Sequence, residues 1–317
     1  MSERAMPSTV LTNPNKKKFW PYVKQYWFLY LLVLPGLIAM IVFSYGPMYG
    51  ILLAFKDFHY KLGVLGSPWA DPFFKHFDFL QDAYFLKVLR NTVLINVYNL
   101  LFGFTFTVFL ALMLNELRMK KTKSVFQTAV YLPYFLSWVI FAGIIQMFLD
   151  VNDGMINNTI ALFGGQKINF LANQNYFRTI LVVTNTIKTA GYNTIIYLAG
   201  IAGVNTELYE SARVDGANRY HLIRHITLPR IYPTIAILFI LQLSSLFASN
   251  FDQVFNLYTP MVYETGDVIS TYIYRLGIEG GEYSVSTAMN LLFNGAGLFI
   301  ILIANKFIEK LDVMGIF

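Results

Sequence analysis

Residues 205–230 place acidic, small and capping residues at a spacing that predicts a pair of short helices. Asn205 or Thr206 is suited to cap the first helix, because its side-chain oxygen would accept a hydrogen bond from the first turn. Gly216 permits a tight reversal that a side chain would hinder, and Asn218 is suited to cap the second helix. Such a pair, with an apolar ridge and charged flanks, fits the groove of a partner protein. The alternative is a surface helix pair that only covers the edge of a bilayer.

The prolines after this pair predict how it is attached to the rest of the chain. Pro229 and Pro233 are expected to end the second short helix and to begin a long apolar helix. The short helices should therefore be rigidly joined to a membrane-spanning segment.

Polar side chains inside apolar segments form the second set of candidates. Sugars are bound by amides, hydroxyls, carboxylates and flat aromatic surfaces, all of which these segments offer. The candidates for a solute pathway are Asn185, Lys188, Tyr192 and Asn193 in one segment, Gln242, Ser245, Ser249 and Asp252 in a second, and Trp138 in a third. The four residues of the second segment are expected to share one helix face, as are Asn185, Lys188 and Tyr192.

Two interpretations of these polar residues stay open. A polar group in hydrocarbon is costly unless it has a partner or faces water. Hydrogen bonds between neighbouring membrane helices would explain a single Ser, Thr or Asn as well as a solute pathway would. Lys188 is too costly near mid-membrane to lack a purpose, so we expect either a pathway residue or an ion pair across a subunit interface.

Several kinds of site have no support in the sequence. There is no cysteine, no phosphate-binding loop of the form GxxxxGK(S/T), and no HExxH pattern around His221 and His225. We therefore expect no metal site, no catalytic residue and no ATP site, and the chain is not predicted to be an enzyme. The net charge of +6 does not indicate a nucleic-acid partner, because the basic residues lie beside apolar runs.

Composition and apolar runs predict an all-α integral membrane protein with six transmembrane helices. The chain of 317 residues is 56% apolar and 13% charged, whereas soluble domains are about 25% charged. A helix needs about 20 apolar residues to cross about 30 Å of hydrocarbon. The predicted helices are residues 27–53, 88–114, 125–149, 177–204, 231–252 and 286–307, with Pro133 as a kink in the third.

The distribution of charge predicts the orientation of the chain. The N-terminal tail (1–26), the loops 115–124 and 205–230 and the C-terminal end carry a net positive charge, and the opposite side is net negative. Basic loops remain in the cytoplasm. We therefore expect a multi-pass membrane protein with both termini cytoplasmic, a transmembrane domain over 27–309 and a short tail over 310–317.

The stretch from 210 to 229 resembles the EAA loop of type I ABC importer permeases. That loop has the pattern Glu-Ala-Ala, three residues, Gly, nine residues, Ile, one residue and Leu-Pro. The residues in register are Glu210, Ala212, Gly216, Ile226, Leu228 and Pro229, and Asp215 and Ala217 fit the common Asp-Gly-Ala core. Ser211 replaces the usual first Ala, and Ile223 stands where sugar permeases often have Phe.

Residues 25–317 also resemble the maltose-type carbohydrate permeases, especially those of Gram-positive bacteria for complex oligosaccharides. The resemblance implies the type I permease fold, with the loop docking as coupling helices in a cleft of a cytoplasmic ATPase. The ATPase-coupling residues would be Glu210, Ala212, Asp215, Gly216, Ala217, Leu228 and Pro229. ATP and Mg would be bound by the ATPase and not by this chain.

The resemblance further implies the partners and the place of action. They are a second, homologous permease that forms a heterodimer, two copies of the ATPase, an extracellular solute-binding lipoprotein, and an oligosaccharide imported across the bacterial cytoplasmic membrane by alternating access. The rival functions are a permease of the same family for a non-sugar solute and an ion-driven secondary carrier. The hydroxyl-rich, aromatic helix faces favour a sugar, and a carrier acting alone has no ATPase for the loop to contact.

Overall fold

The computed structural model describes residues 23–117, 119–243, 246–247 and 250–309, and these are almost entirely helical. In this part of the chain, an isolated bridge between Lys56 and Trp69 is the one β-type contact. The chain forms two compact units, one up to Leu52 and the other from Leu53 onward. The predicted all-α class is confirmed.

Fifteen α-helices are numbered in chain order within the described residues. They are α1 (Trp27–Met40), α2 (Gly63–Gly66), α3 (Ala83–Tyr98), α4 (Thr105–Glu116), α5 (Lys120–Phe135), α6 (Trp138–Leu149), α7 (Met155–Leu162), α8 (Gln174–Ala202), α9 (Thr206–Val214), α10 (Arg219–Leu222), α11 (Leu228–Leu243), α12 (Phe251–Leu257), α13 (Tyr263–Gly266), α14 (Ile269–Tyr274) and α15 (Tyr283–Glu309). Wider π-helical segments follow directly on an α-helix at Ile41–Tyr45, Asn99–Phe104, Ile223–Thr227 and Arg275–Glu279. Several helices are thereby joined into longer rods.

Four of these rods are long and apolar enough to cross a membrane. Among the described residues they are Trp27–Phe55, Ala83–Glu116, Arg219–Leu243 and Tyr283–Ile303. The pair α5 and α6 would make a fifth span if taken together. Helix α8 has 29 residues and is therefore about 43 Å long. It is long enough to cross a membrane, but its polar residues make it less apolar than these four rods. The helical membrane fold is confirmed, and the number of six spans stays a prediction.

The third predicted helix is broken where a kink was expected. Helix α5 ends at Phe135, and α6 begins at Trp138 with a bend of 106° between the two axes. Pro133 lies in the last turn of α5, and Ser137 caps α6 by accepting a hydrogen bond from the Ile140 N–H at 3.3 Å. A proline alone kinks a helix, whereas a new N-cap lets a second helix start in another direction.

The boundaries expected around the fifth helix were wrong. Helix α10, the π segment and α11 form one rod from Arg219 to Leu243, and Pro229 and Pro233 lie inside it. The wider π turn directly before α11 relieves the clash that the Pro229 ring would make with the preceding turn. Because this rod ends at Leu243 and α12 begins at Phe251, Gln242 and Asp252 lie on different helices and do not share a face.

The core consists of three apolar clusters that join helices distant in sequence. The first is centred on Phe85 and Met289 and joins α3, α14 and α15. The second is centred on Phe177 and Leu181 and joins α3, α6, α8 and α12. The third, around Ile201 and Ile231, joins α4, α8 and α11 beside the 205–218 loop. Helix α8 therefore belongs to two of the three clusters and is the central helix of this unit.

A buried ion pair holds the segment between α12 and α15 against α3. The fully buried Asp267 carboxylate accepts hydrogen bonds from Arg275 at 2.5 Å, the Tyr84 hydroxyl at 2.6 Å and Thr271 at 2.8 Å. Burial by itself would lower the pKa of the Arg275 guanidinium, but the hydrogen bond and the charge of Asp267 outweigh it and raise that pKa above its ordinary value. The guanidinium therefore stays charged, and the segment is anchored.

Candidate functional site

The 205–218 loop has the local geometry that its sequence predicts. The Asn205 side chain caps α9 by accepting a hydrogen bond from the Glu207 N–H at 3.0 Å. Gly216 has a φ of +82°, in the left-handed region that favours glycine. Asn218 caps the next helix by accepting from the His221 N–H at 2.9 Å. The first short helix, the two caps and the reversal are confirmed, whereas the second helix is the start of the rod Arg219–Leu243 and not a separate short helix.

A side-chain hydrogen bond ties the first short helix to the rod that follows. The Tyr209 hydroxyl on α9 lies 2.9 Å from the hydroxyl of Thr227, which is buried in the π segment. Because the π segment continues into α11 without a break, this hydrogen bond links α9 to the long rod. The predicted rigid attachment is present, although its geometry is a continuous rod and not a proline-bounded joint.

The tip of the loop presents charged and apolar groups to the outside. Glu210, Asp215, Gly216 and Pro229 are exposed, while Ala212, Ala217 and Leu228 are half-buried beneath them. Val214 next to the reversal is 89% exposed. Within the described residues, neither Glu210 nor Asp215 belongs to an ion pair. The loop therefore offers two carboxylates beside an apolar knob.

Lys188 is bound to the broken helix and does not face open space. Its ammonium donates hydrogen bonds to the backbone carbonyls of Pro133 at 3.0 Å, Tyr134 at 3.3 Å and Leu136, and the side chain is buried. The same group lies 5.2 Å from the centre of the Trp138 ring. The Pro133 carbonyl also accepts a hydrogen bond from the Leu136 N–H at 3.3 Å, so Lys188 adds donors at the end of one helix from the middle of another.

Two tyrosines stack beside this break. The rings of Tyr134 and Tyr192 are parallel, with centroids 3.9 Å apart, and both are partly exposed. Asn193, the next residue of α8, is exposed, and Trp138 is half-buried. The structure therefore brings Tyr192, Lys188 and Trp138 together at the break between α5 and α6, and Asn193 follows Tyr192 in the chain.

Three of the other predicted pathway residues, Asn185, Gln242 and Asp252, fall within the described residues. Asn185 is half-buried and donates a hydrogen bond to the Asn99 side chain at 3.2 Å, which is a contact between helices. Gln242 is half-buried near the end of α11, and Asp252 is exposed in the first turn of α12. Ser245 and Ser249 lie outside the described residues.

A groove between two parallel rods is a feature that the sequence interpretation missed. It has a volume of about 1090 Å³ and lies between Ala83–Glu116 and α8. Four aromatic rings line one wall: Tyr98, Phe102, Phe106 and Phe109. The α8 wall has three apolar residues, Val182, Val183 and Ile187, beside Arg178, Thr179 and Thr186. The signal in the sequence was an arginine at the start of one predicted membrane helix and, in another, aromatic residues spaced by four, four and three.

Residues 103–310 match the family model of the binding-protein-dependent transport system inner membrane component. The chain is 38% identical over 315 residues to the polygalacturonan/rhamnogalacturonan transport system permease protein YteP of Bacillus subtilis (strain 168), covering 99% of this chain and 97% of the relative. Two solved structures are also similar to this chain over their whole length.

The first solved structure is a bacterial ABC transporter involved in the import of the acidic polysaccharide alginate. Its TM-score is 0.86 at 40% identity, with 93% of this chain and 100% of that chain covered. The second is a bacterial alginate ABC transporter in complex with alginate pentasaccharide-bound periplasmic protein, again at TM-score 0.86, with 39% identity and 95% of this chain and 100% of that chain covered. The chain therefore belongs to the family of binding-protein-dependent transport system inner membrane components.

Proposed function

We propose that this chain is one of the two permease subunits of an ATP-driven importer for an acidic oligosaccharide. Membership of the family makes the chain a transport subunit and not an enzyme. The ATPase, the second permease and the nature of the solute are parts of the proposal. In it, ATP and Mg are bound by two copies of a cytoplasmic ATPase, and an extracellular binding lipoprotein delivers the solute.

The observation that carries the proposal is the geometry of the 205–218 loop. It presents Glu210, Asp215 and the exposed Val214 to a partner, and it is hydrogen-bonded to the rod Arg219–Leu243 through Tyr209 and Thr227. A loop that is both exposed and rigidly joined to a long apolar rod is suited to transmit the motion of a docked protein into the membrane. This is the coupling that ATP-driven transport requires.

We propose an acidic sugar because of the solutes for which the relatives are named and because of the charges of the membrane helices. YteP is named for the transport of polygalacturonan and rhamnogalacturonan, and the solved transporter is named for the import of the acidic polysaccharide alginate. All three polysaccharides contain sugar acids. The stacked Tyr134 and Tyr192, with Asn193 beside them, offer the aromatic face and the amide that sugars bind. We assign this cluster at the break of α5 and α6 to the solute pathway, with Lys188 positioning it.

The mechanism follows from how the elements are joined. Closure of the ATPases on ATP would displace α9 and, through Thr227, the rod that contains α11. The rod packs on α8 through Ile231 and Ile201, so α8 and the tyrosine cluster would move with it. Alternating exposure of that cluster to the two sides of the membrane is the proposed transport cycle.

The proposal is tested by co-expression with the neighbouring transport genes and purification of the complex. ATPase activity is then measured in proteoliposomes with the binding protein alone and with the binding protein loaded with oligogalacturonate or alginate oligomers. We expect stimulation by a loaded binding protein, together with uptake of the labelled oligomer. Purification of this chain alone as a stable, active carrier without any ATPase would contradict the assignment of the loop.

A further inference from the structure

The groove beside α8 has a cation at one end whose charge is not balanced by any described residue. Arg178 donates from Nε to the Thr265 carbonyl at 3.0 Å and from Nη2 to the Asn91 side chain at 2.7 Å. Both acceptors are neutral. Among the described residues the ion pairs do not include Arg178.

Such a charge inside a membrane helix needs an explanation. Near the end of a membrane helix an arginine can reach the interface, but here two hydrogen bonds hold the guanidinium at the groove. The two neutral hydrogen bonds fix the direction of the guanidinium but do not neutralise it, and a guanidinium has five N–H donors, of which these bonds use two. Donors remain for an anion at the wall of the groove that Arg178 lines.

The other intramembrane cation of α8 is not available for this purpose. Lys188 is buried, and its three donors are directed at the carbonyls of Pro133, Tyr134 and Leu136. Lys188 therefore satisfies the broken helix, whereas Arg178 lines an open groove. The two cations of one helix therefore have different roles, and Arg178, unlike Lys188, has donors left for an anion.

The wall opposite Arg178 is suited to sugar rings. The rings of Tyr98, Phe102, Phe106 and Phe109 are between 37% and 63% exposed. They extend over 11 residues of one rod, which corresponds to about 16 Å. Asn91 contacts Arg178, and Gly103, further along the rod, lies close to Thr186, further along α8. The rod therefore runs parallel to α8. The aromatic wall therefore leads from Arg178 towards the 205–218 loop, and aromatic faces stack on the apolar faces of sugars.

From these observations we infer that Arg178 binds a carboxylate of the transported oligosaccharide while the sugar rings lie on the aromatic wall of the groove. The inference rests on the proposed function and assigns the recognition of acidic solutes to a named side chain. A charged hydrogen bond from a planar guanidinium to a carboxylate is strong and distinguishes an acid from a neutral sugar of the same shape.

The test compares two ligands that differ only in charge. The complete complex is placed in nanodiscs without binding protein and without ATP, and the Kd values for tetragalacturonate and for its carboxyl-reduced, neutral counterpart are measured. We expect wild type to prefer the acid by tenfold or more. Arg178→Gln keeps donors for Asn91 and Thr265 but removes the charge, and it should abolish most of this preference while leaving the Kd of the neutral oligomer nearly unchanged. Arg178→Lys should retain part of the preference.

Two further variants make the result independent of the folding of the arginine variants. Thr179→Asp places a negative charge at the exposed neighbour of Arg178 in the groove and should lower acid binding about tenfold through repulsion. Lys87→Gln is the matched control, because Lys87 is an exposed cation near the start of α3 that pairs with Glu264 at 2.7 Å and does not line the groove. Its ratio of Kd values should equal that of wild type.

Each result decides the inference separately from the proposed function. Wild-type import with an acid preference that neither Arg178→Gln nor Thr179→Asp changes would overturn the inference and leave the importer intact. Equal loss of acid and neutral binding would assign Arg178 to structure alone, and loss of the second permease from purified Arg178→Gln complexes would assign it to a carboxylate of that partner; both overturn the inference. Absence of ATPase stimulation by any loaded binding protein overturns the proposed function itself.

Discussion

At the scale of single residues, Gly216 and Lys188 show two different reasons why one side chain type is required. Gly216 is set by its own backbone, because a φ of +82° favours a residue without a β-carbon, and the space around it is open. Lys188 is set by its surroundings, because the carbonyls of Pro133, Tyr134 and Leu136 come from another helix. The first requirement is local, and the second exists only in the folded chain.

Gly216→Val should impair coupling without preventing insertion. A β-carbon in the left-handed region costs about 1–2 kcal/mol, which the loop can avoid by changing the angle between its two helices. We expect stimulated ATPase activity to fall and basal assembly to persist. Gly203→Ala is the control, because that glycine also follows a helix in the same stretch but has an ordinary φ of −79°. Equal activity of the two variants would show that the reversal does not set the coupling geometry.

Lys188→Met should destabilise the complex. Removing the ammonium takes away a charged donor shared by three carbonyl groups around the end of α5, at a cost of about 1–3 kcal/mol. The apparent melting temperature of the detergent-solubilised complex should fall. Lys167→Met provides the comparison, since Lys167 also donates to a carbonyl, that of Asn152, but at an exposed position where water replaces it. If both variants melt at the wild-type temperature, the contact of Lys188 with the broken helix does not stabilise the complex.

At the scale of elements, the position of α8 is decided by close approach to its neighbours. A β-carbon at Gly191 would lie 1.9 Å from the carbonyl oxygen of Val130, so α8 and α5 contact each other backbone to backbone. Small residues permit such contacts in membrane bundles, where close packing is the main source of association between helices. The tyrosine cluster is placed by this crossing, because Tyr192 follows Gly191 directly.

Gly191→Ala should therefore separate α5 from α8. The added methyl group cannot be accommodated by a side-chain movement, because the atoms it meets are backbone atoms. We expect a strong loss of folded complex in expression trials. Gly143→Ala is the matched control, since nothing lies within 4 Å of a β-carbon there and alanine favours a helix. Normal yields of Gly191→Ala complex would refute the close contact.

The contact between Tyr209 and Thr227 is best tested as a pair. Tyr209→Phe and Thr227→Val each remove one hydroxyl of the 2.9 Å contact. A hydrogen bond of this kind contributes about 0.5–1.5 kcal/mol. If it transmits motion, each single variant should lower stimulated ATPase activity, and the double variant should be no worse than the single ones. Additive losses would mean that the two hydroxyl groups act independently.

At the scale of the whole molecule, the expected orientation determines which side each loop faces. The structure gives the helices but contains no membrane, so the sides rest on the distribution of charge. The absence of cysteine makes a direct measurement simple, because single cysteines can be introduced without removing any. Tyr60 is 86% exposed in the loop expected outside, and Ser211 is exposed in the loop expected inside.

Single-cysteine labelling should report opposite sides for these two positions. In intact cells, a membrane-impermeant maleimide should label Tyr60→Cys and not Ser211→Cys. After permeabilisation both should react, which also shows that both variants are present and exposed. Labelling of Ser211→Cys in intact cells would reverse the orientation and place the proposed coupling loop away from any ATPase.

The sequence by itself determined the membrane class and the geometry of the 205–218 loop. Composition and long apolar runs indicate a membrane environment without any knowledge of tertiary contacts. The membrane class could therefore be predicted directly from the sequence. The caps at Asn205 and Asn218 and the reversal at Gly216 are formed within a few residues of one another, and local hydrogen bonding and backbone preference decide them.

Only the tertiary structure decided the partners of the membrane cations and the ends of the helices around them. Lys188 and its acceptors are more than 50 residues apart, and Arg178 is 87 residues from Asn91 and from Thr265. The break at Ser137 and the unbroken rod through Pro229 depend on what packs beside each helix. Periodicity states which residues share a face, but which neighbour covers that face is set by contacts between segments remote in sequence.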